Sequence, residues 1–166
     1  MLDRILATDN FADAKGADVM IEAVFEDVSL KKDVYAELEP LLADTAANGA
    51  DLAERDNVMV TRLDLLDSAS IEAAVAAGLG RFGAIDVLLN NAGYGAYGPL
   101  EATPMDVIRR QFNVNLFGLV ETIQAVLPGM RAQRSGVIVN VSSVGGRVTY
   151  PLGTLYHGSK WAVEGL

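Results

Sequence analysis

Short apolar runs alternating with amphipathic stretches constrain this chain more than any other feature. Four times along its 166 residues, a run rich in Val, Ile and Leu is followed by residues whose apolar members recur at helical spacing. Strands so short and so apolar suit a parallel sheet covered on both faces, and parallel neighbours need a crossover that a helix supplies. The pattern predicts an α/β fold with a parallel sheet, helices on both faces and right-handed crossovers.

Residues 1–16 leave a short strand at 5–7 open, with Asp9 and Asn10 as a turn or cap. The run ADVMIEAVF, residues 17–25, reads as a buried strand. Asp27 or Ser29 then caps a helix to Leu42 with Leu30, Val34, Leu38 and Leu41 on one face, and Pro40 distorts its last turns. Residues 43–56 are small and polar, Asn48 and Gly49 mark a turn, and the stretch 46–56 reads as a junction. Beyond it, 57–64 is a strand, and Asp67 or Ser68 caps a helix with Ile71, Val75 and Leu79 on its apolar face, ending at Gly80 and Gly83. AIDVLLNNAG holds another strand, with Asp86 a strand-edge carboxylate. Thr103 and Pro104 start a helix that runs to Val126 and closes at Pro128 and Gly129. VIVNV, before Ser142, is a buried strand, and 155–166 a last helix.

Net charge of −9 and a pI near 4.5 argue against nucleic acid and anionic membranes as partners. Without cysteine and with one histidine, the chain has no disulfide and too few soft ligands for a zinc site. No apolar run approaches the roughly 20 residues of a membrane helix. The start MLDRILATDNF resembles no signal peptide, so a cytoplasmic protein is expected.

Chemistry concentrates in SVGGRVTYPLGTLYHGSK, residues 143–160. Tyr156 and Lys160 are four apart and share a helix face, where an ammonium lowers a phenol's pKa and Ser143 reaches the same substrate oxygen. Such a set moves a proton to or from a carbonyl oxygen. The bland readings are a solvated helix face for the Tyr-Lys pair and backbone satisfaction at a strand end for Asn90 and Asn91. His157 reads as an exposed helix residue and Trp161 as packed against the sheet.

From about residue 57 onward the chain resembles the short-chain dehydrogenase/reductase family. The motifs are Asp64 after NVMVTRL, the run Asn90, Asn91, Ala92, Gly93, then Asn115 in NVNLFG, Ser143 after VIVNVS, and Tyr156-x-x-x-Lys160. The resemblance implies a single Rossmann-like domain over 1–166, a three-layer sandwich with a mostly parallel sheet of four to five strands. It implies oxidation of a secondary alcohol, or reduction of a ketone, with NAD or NADP. Tyr156 would be the general acid/base, Lys160 its cationic neighbour and a ribose ligand, and Ser143 the holder of the substrate oxygen. Asn115 would position a relay water, Asp64 would accept from the adenine amino group, and the backbone of Asn91, Ala92 and Gly93 would pass the ribose. Asn115 also reads as a polar residue stabilising a helix kink. Family members pair through the helices holding Asn115 and Tyr156, which makes a homo-oligomer an expectation.

The family's Thr-Gly-x-x-x-Gly-x-Gly turn, which brings backbone N–H groups against a pyrophosphate, has no counterpart here. Before residue 57 the glycines are Gly16 and Gly49. Residues 4–44, with GADVMIEAVFEDVSLKKDVYAELEPLL, resemble instead the NAD domain of 3-hydroxyacyl-CoA dehydrogenases. There Glu26 and Lys31 would lie near a cofactor ribose or form a solvated helix start. The family also continues beyond its Tyr-Lys helix into two further strands and a substrate loop, whereas this sequence stops at Leu166. The expectation is a chimera of two related folds, 1–45 joined to 57–166, with weak or no turnover.

Overall fold

The structure, a computed structural model, describes residues 58–166. The strand at 17–25, the helix to Leu42, the 46–56 junction and the segment resembling hydroxyacyl-CoA dehydrogenases lie outside the described residues.

Helix α1, Ser68–Phe82, starts because Asp67 is extended and its carboxylate accepts from the Ala69 N–H at 3.0 Å. It ends at Gly83, whose φ of 83° suits glycine. Gly80 lies within the helix. Ile71 and Val75 face inward as the spacing predicts, while Leu79 sits at the edge of that face, partly exposed.

Strand β1, Val87–Asn90, pairs in parallel with β2, Val137–Asn140, with Val87 opposite Val137 and Asn90 opposite Asn140. Among the described residues the sheet has these two strands. Residues 58–64, expected as a strand, form none: a strand is defined by its ladder, and no described segment pairs with them. Strand β2 is half-exposed, not buried, because Val137 and Val139 alternate outward while Ile138 packs inward against Leu88 and Val126.

Helix α2, Met105–Phe112, passes through a π-helical segment, Asn113–Gly118, into helix α3, Leu119–Gln133. The Thr103 hydroxyl does not cap α2. It donates to the Pro99 carbonyl at 2.9 Å and closes the 3-10 turn Leu100–Ala102, so Pro104 becomes the cap residue. Pro128 does not end α3 either. It removes one helical N–H, but Thr122, Val126 and Met130 bury a continuous face on both sides of it, and packing outweighs the lost bond. The helix ends at Arg134, in the left-handed region with φ 56°.

Two apolar clusters support the site. One joins Leu63, Leu65, Ile71, Ala74 and Val114; the other joins Val75, Ile85, Leu88, Val126 and Met130. Gly118 is where the π segment crosses residue 65: a Cβ there would stand 2.6 Å from the Leu65 carbonyl oxygen. Helix α4, Thr154–Glu164, turns Leu155, Ser159, Lys160 and Val163 inward. Trp161 therefore points outward, 52% exposed, rather than against the sheet. His157 is 4% exposed, not a surface residue, because the turn after β2 folds over it.

Candidate active site

The carboxyl ends of β1 and β2 open into two loops, 91–98 and 141–153, and α4 runs beneath both. Between them lies a cavity of about 350 Å³ whose wall includes Asn91, Gly93, Tyr97, Ser142, Tyr156 and Lys160. A cleft at the carboxyl ends of parallel strands is where ligands enter open α/β sheets.

Lys160 is buried, and its Nζ donates to the Val141 carbonyl at 2.9 Å. Burial pushes its ammonium below the ordinary lysine value. The same Nζ stands 6.0 Å from the centre of the Tyr156 ring, so the i, i+4 pair faces one cavity as the spacing predicts. Gly93 passes close by: a Cβ there would lie 3.2 Å from Asn115 Oδ1 and 3.5 Å from Lys160 Nζ.

Asn115 is buried, with its amide fully engaged. Oδ1 accepts from the Tyr94 N–H at 3.0 Å, and Nδ2 donates to the Tyr94 carbonyl at 2.8 Å and to Ser159 Oγ at 3.0 Å. Ser159 in turn donates to the Tyr156 carbonyl. This chain of bonds ties the loop after β1 to the helix carrying Tyr156 and Lys160. One turn earlier stands Gln111, which the sequence reading passed over. It is fully buried; its Oε1 accepts from the Ala96 N–H and its Nε2 donates to the Tyr94 carbonyl, both at 2.6 Å. Two amides four apart on a helix were the available signal, since that spacing aims both at one partner segment.

Ser143 caps the 3-10 turn Val144–Gly146, its Oγ accepting from the Gly145 N–H at 3.1 Å. That turn touches α4: a Cβ on Gly145 would lie 3.1 Å from the Tyr156 ring. Ser142, not Ser143, is among the cavity-lining residues. Asn91 and Gly93 line the cavity, and Ala92 packs against the Leu63–Val114 cluster. Asp64 stands apart from the cavity wall. Its Oδ1 accepts from the Leu66 N–H and its Oδ2 pairs with Arg62. Asn90 meets its in-register neighbour, Nδ2 donating to Asn140 Oδ1 at 2.9 Å. Asp86 accepts a long bond from Gln133 at the strand edge.

A tyrosine-lysine pair, an asparagine in a distorted helix and glycine-flanked loops over a parallel sheet are the arrangement of the short-chain dehydrogenase/reductase family. The chain belongs to that family: the short chain dehydrogenase model matches residues 30–166. Residues 1–47 match a second model, the NAD binding domain of 3-hydroxyacyl-CoA dehydrogenase, so the two matches overlap over 30–47. An uncharacterized oxidoreductase of Schizosaccharomyces pombe is 50% identical over 119 residues, covering 72% of this chain and 50% of that protein. The chain thus spans about half the length of the curated relatives it matches. A short-chain dehydrogenase from Streptomyces avermitilis superposes with a TM-score of 0.68 at 34% identity, over 72% of this chain and 45% of that one. Actinorhodin polyketide ketoreductase, a variant solved with NADPH, gives 0.62 at 34% identity, over 63% and 41%. Among the described residues, no helix is long and apolar enough to cross a membrane, and no group of His, Asp and Glu suits a metal ion.

Proposed function

We propose that this chain is an NAD(P)-dependent oxidoreductase of a secondary alcohol or ketone by descent, with weak turnover. The observation that carries the reading is the convergence of Tyr156, Lys160 and Gly93 on one cavity. The local fit to a nicotinamide cofactor rests on Gly93: a Cβ there would press on Asn115 Oδ1 and the Lys160 ammonium, so glycine lets the backbone pass beside the cation that would hold a ribose. Asn91, Ala92, Gly93, Tyr156 and Lys160 would hold the nicotinamide side, and Asp64 the adenine amino group if it releases Arg62. When bound, the cofactor supplies or takes the hydride. In reduction, the Tyr156 hydroxyl gives its proton to the carbonyl oxygen; Ser143, which caps the turn beside the cavity-lining Ser142, would have to turn its hydroxyl into the cavity to hold that oxygen. Lys160 stabilises the resulting phenolate by its charge. Asn115 fixes the loop and helix around Lys160; because both its amide hydrogens are engaged, a relay water would use its main-chain carbonyl.

The reading of weak turnover rests on the sequence of residues 1–56, where Gly16 and Gly49 do not make up the Thr-Gly-x-x-x-Gly-x-Gly motif. Charge-assisted backbone bonds contribute about 1.5–3 kcal/mol each, so losing three lowers cofactor affinity by several powers of ten. The experiment is NADH or NADPH consumption by the full chain with a simple ketone. Slow consumption that falls roughly 100-fold or more in Tyr156→Phe is the expected result. An unchanged rate in that variant overturns the reading.

The match of residues 1–47 to another family's NAD domain favours a second proposal. The chain joins two related cofactor-binding folds at a junction before residue 57, giving one three-layer, Rossmann-like domain of four to five mostly parallel strands. In that form the site residues are inherited and the module is non-catalytic. If the join was made by laboratory recombination, no natural gene encodes all 166 residues contiguously, and finding one would overturn that origin. A cytoplasmic homo-oligomer without nucleic-acid or membrane partners completes the proposal; light scattering of the full chain tests its self-association.

A further inference from the structure

We propose that Tyr97 is the specificity-determining wall of the cavity and that it selects carbonyl compounds, or the matching alcohols, bearing a flat uncharged ring beside the reacting carbon. The proposal rests on the oxidoreductase reading above for its reaction, but on geometry alone for its ligand.

The Tyr97 ring lies with its centre 5.6 Å from that of Tyr156, tilted by 36°, and both rings line the cavity. A carbonyl oxygen on the Tyr156 hydroxyl therefore places its neighbouring substituent alongside Tyr97. The ring is 62% exposed, so it offers an aromatic face that a ligand covers. It is also held where it stands. The chain before it is tied by the Ala96 N–H to Gln111, and the chain after it by the Gly98 N–H to the Leu152 carbonyl at 2.9 Å. Beneath the ring, Gly95 supplies the seat: a Cβ there would meet Tyr97 Cε2 at 2.6 Å and Tyr156 Cδ2 at 3.2 Å. A ring fixed at its backbone and seated on glycine presents its face with little conformational entropy left to lose.

The charge of the wall narrows the ligand. Among the described lining residues Lys160 is the one cation, and its Nζ is turned to the Val141 carbonyl. Asn91, Ser142 and Lys160 make part of the wall polar, but on the side of Tyr97 the lining is tyrosine rings and glycine. With Lys160 given over to the Val141 carbonyl and, in the reaction, to the Tyr156 hydroxyl, this side suits an uncharged ring. Partial burial first and the Tyr156 phenol second push the Tyr97 pKa above the ordinary tyrosine value, which favours its neutral form. A neutral ring stacks on another at an aromatic–aromatic preference of about threefold to tenfold.

The test is ligand binding to the full chain without cofactor, by saturation-transfer NMR or equilibrium dialysis. Acetophenone is compared with methyl hexyl ketone, a straight-chain ketone with the same number of carbons. Acetophenone binding about fivefold more tightly, with the preference kept in Tyr97→Phe and lost in Tyr97→Ala and Gly95→Ala, supports the proposal. No preference in the parent chain, or a preference that survives Tyr97→Ala, overturns it. Tyr97 is exposed enough that its replacement leaves the core intact, and circular dichroism of each variant verifies the fold. Failure of the oxidoreductase reading looks different: NADPH consumption is absent while the Tyr97-dependent preference remains, which still supports Tyr97 as a ring-binding wall.

Discussion

The two loops that wall the cavity are held by different means. Loop 91–98 hangs from the helix below it through planar amides: Gln111 and Asn115 make four bonds to the backbone of Tyr94 and Ala96. Loop 141–153 instead wraps one ring. His157 Nε2 accepts from the Tyr150 N–H at 3.0 Å, and its Nδ1 lies 3.1 Å from the Gly145 carbonyl. Those partners assign the tautomer: Nε2 must lack a proton to accept, so Nδ1 carries it and donates. Glycines at 145 and 153 let the backbone approach the imidazole, which a Cβ at either position would strike. The first wall is thus specified by hydrogen bonds and the second by space, and they fail for different reasons.

The largest effect is expected from Asn115→Ala, which leaves the Tyr94 N–H and Ser159 without their amide partner while the Tyr94 carbonyl keeps Gln111. The loss is about 3–4 kcal/mol, read from urea unfolding at constant slope. A change under about 1 kcal/mol would show that the first loop does not depend on its amides.

Gly145→Ala comes next, at about 2–3 kcal/mol, because its methyl would stand 2.6 Å from His157 Nδ1. If space is the cause, adding His157→Ala recovers more than about 1 kcal/mol of that loss in a double-mutant cycle. Strict additivity would break the contrast between the walls. Gln111→Leu keeps most of the volume but orphans the Ala96 N–H, and about 2 kcal/mol is expected. The comparison is sharpened if the same variant also weakens the acetophenone preference, since Gln111 seats the segment before Tyr97.

The smallest effect is a pH dependence from Lys160. Its folded-state pKa is lowered by burial, so the unfolded chain binds this proton more readily. The penalty for burying the ammonium is full below the folded value and fades as pH rises toward the ordinary 10.5, so stability from this group increases across that window. An NMR titration of the lysine ε-methylene signals should find Lys160 losing its proton before a free lysine does. A midpoint at or above the ordinary value would refute the buried placement.

Much of the fold was legible because its signals are local. Asp67 caps its helix, Gly83 ends it, and the Val-Ile-Leu runs at 87–90 and 137–140 pair in parallel. Tyr156 and Lys160 share a face because helical spacing is a fixed rotation. What escaped was decided by partners distant in sequence. Pro128 reads as a stop, yet buried residues on either side carry α3 through it. His157 reads as a surface residue, yet two glycine-containing turns fold over it, and nothing in a single helix announces that. Residues 58–64 have strand composition but depend on a neighbouring strand to become one. Gln111 was overlooked because a buried amide declares itself only through the backbone it serves.

The Asn90–Asn140 bond has a consequence for assembly of the sheet. Apolar side chains along Val87–Leu89 and Val137–Val139 are nearly interchangeable, so they discriminate poorly between alignments of the two strands. A slide by one residue would separate the two amides and set Asn90 against a valine with its Nδ2 unpaired. The pair works as a notch in an otherwise smooth rail. It lets the chain recognise the one alignment that delivers both strand ends, and hence both loops, to the same height above the sheet.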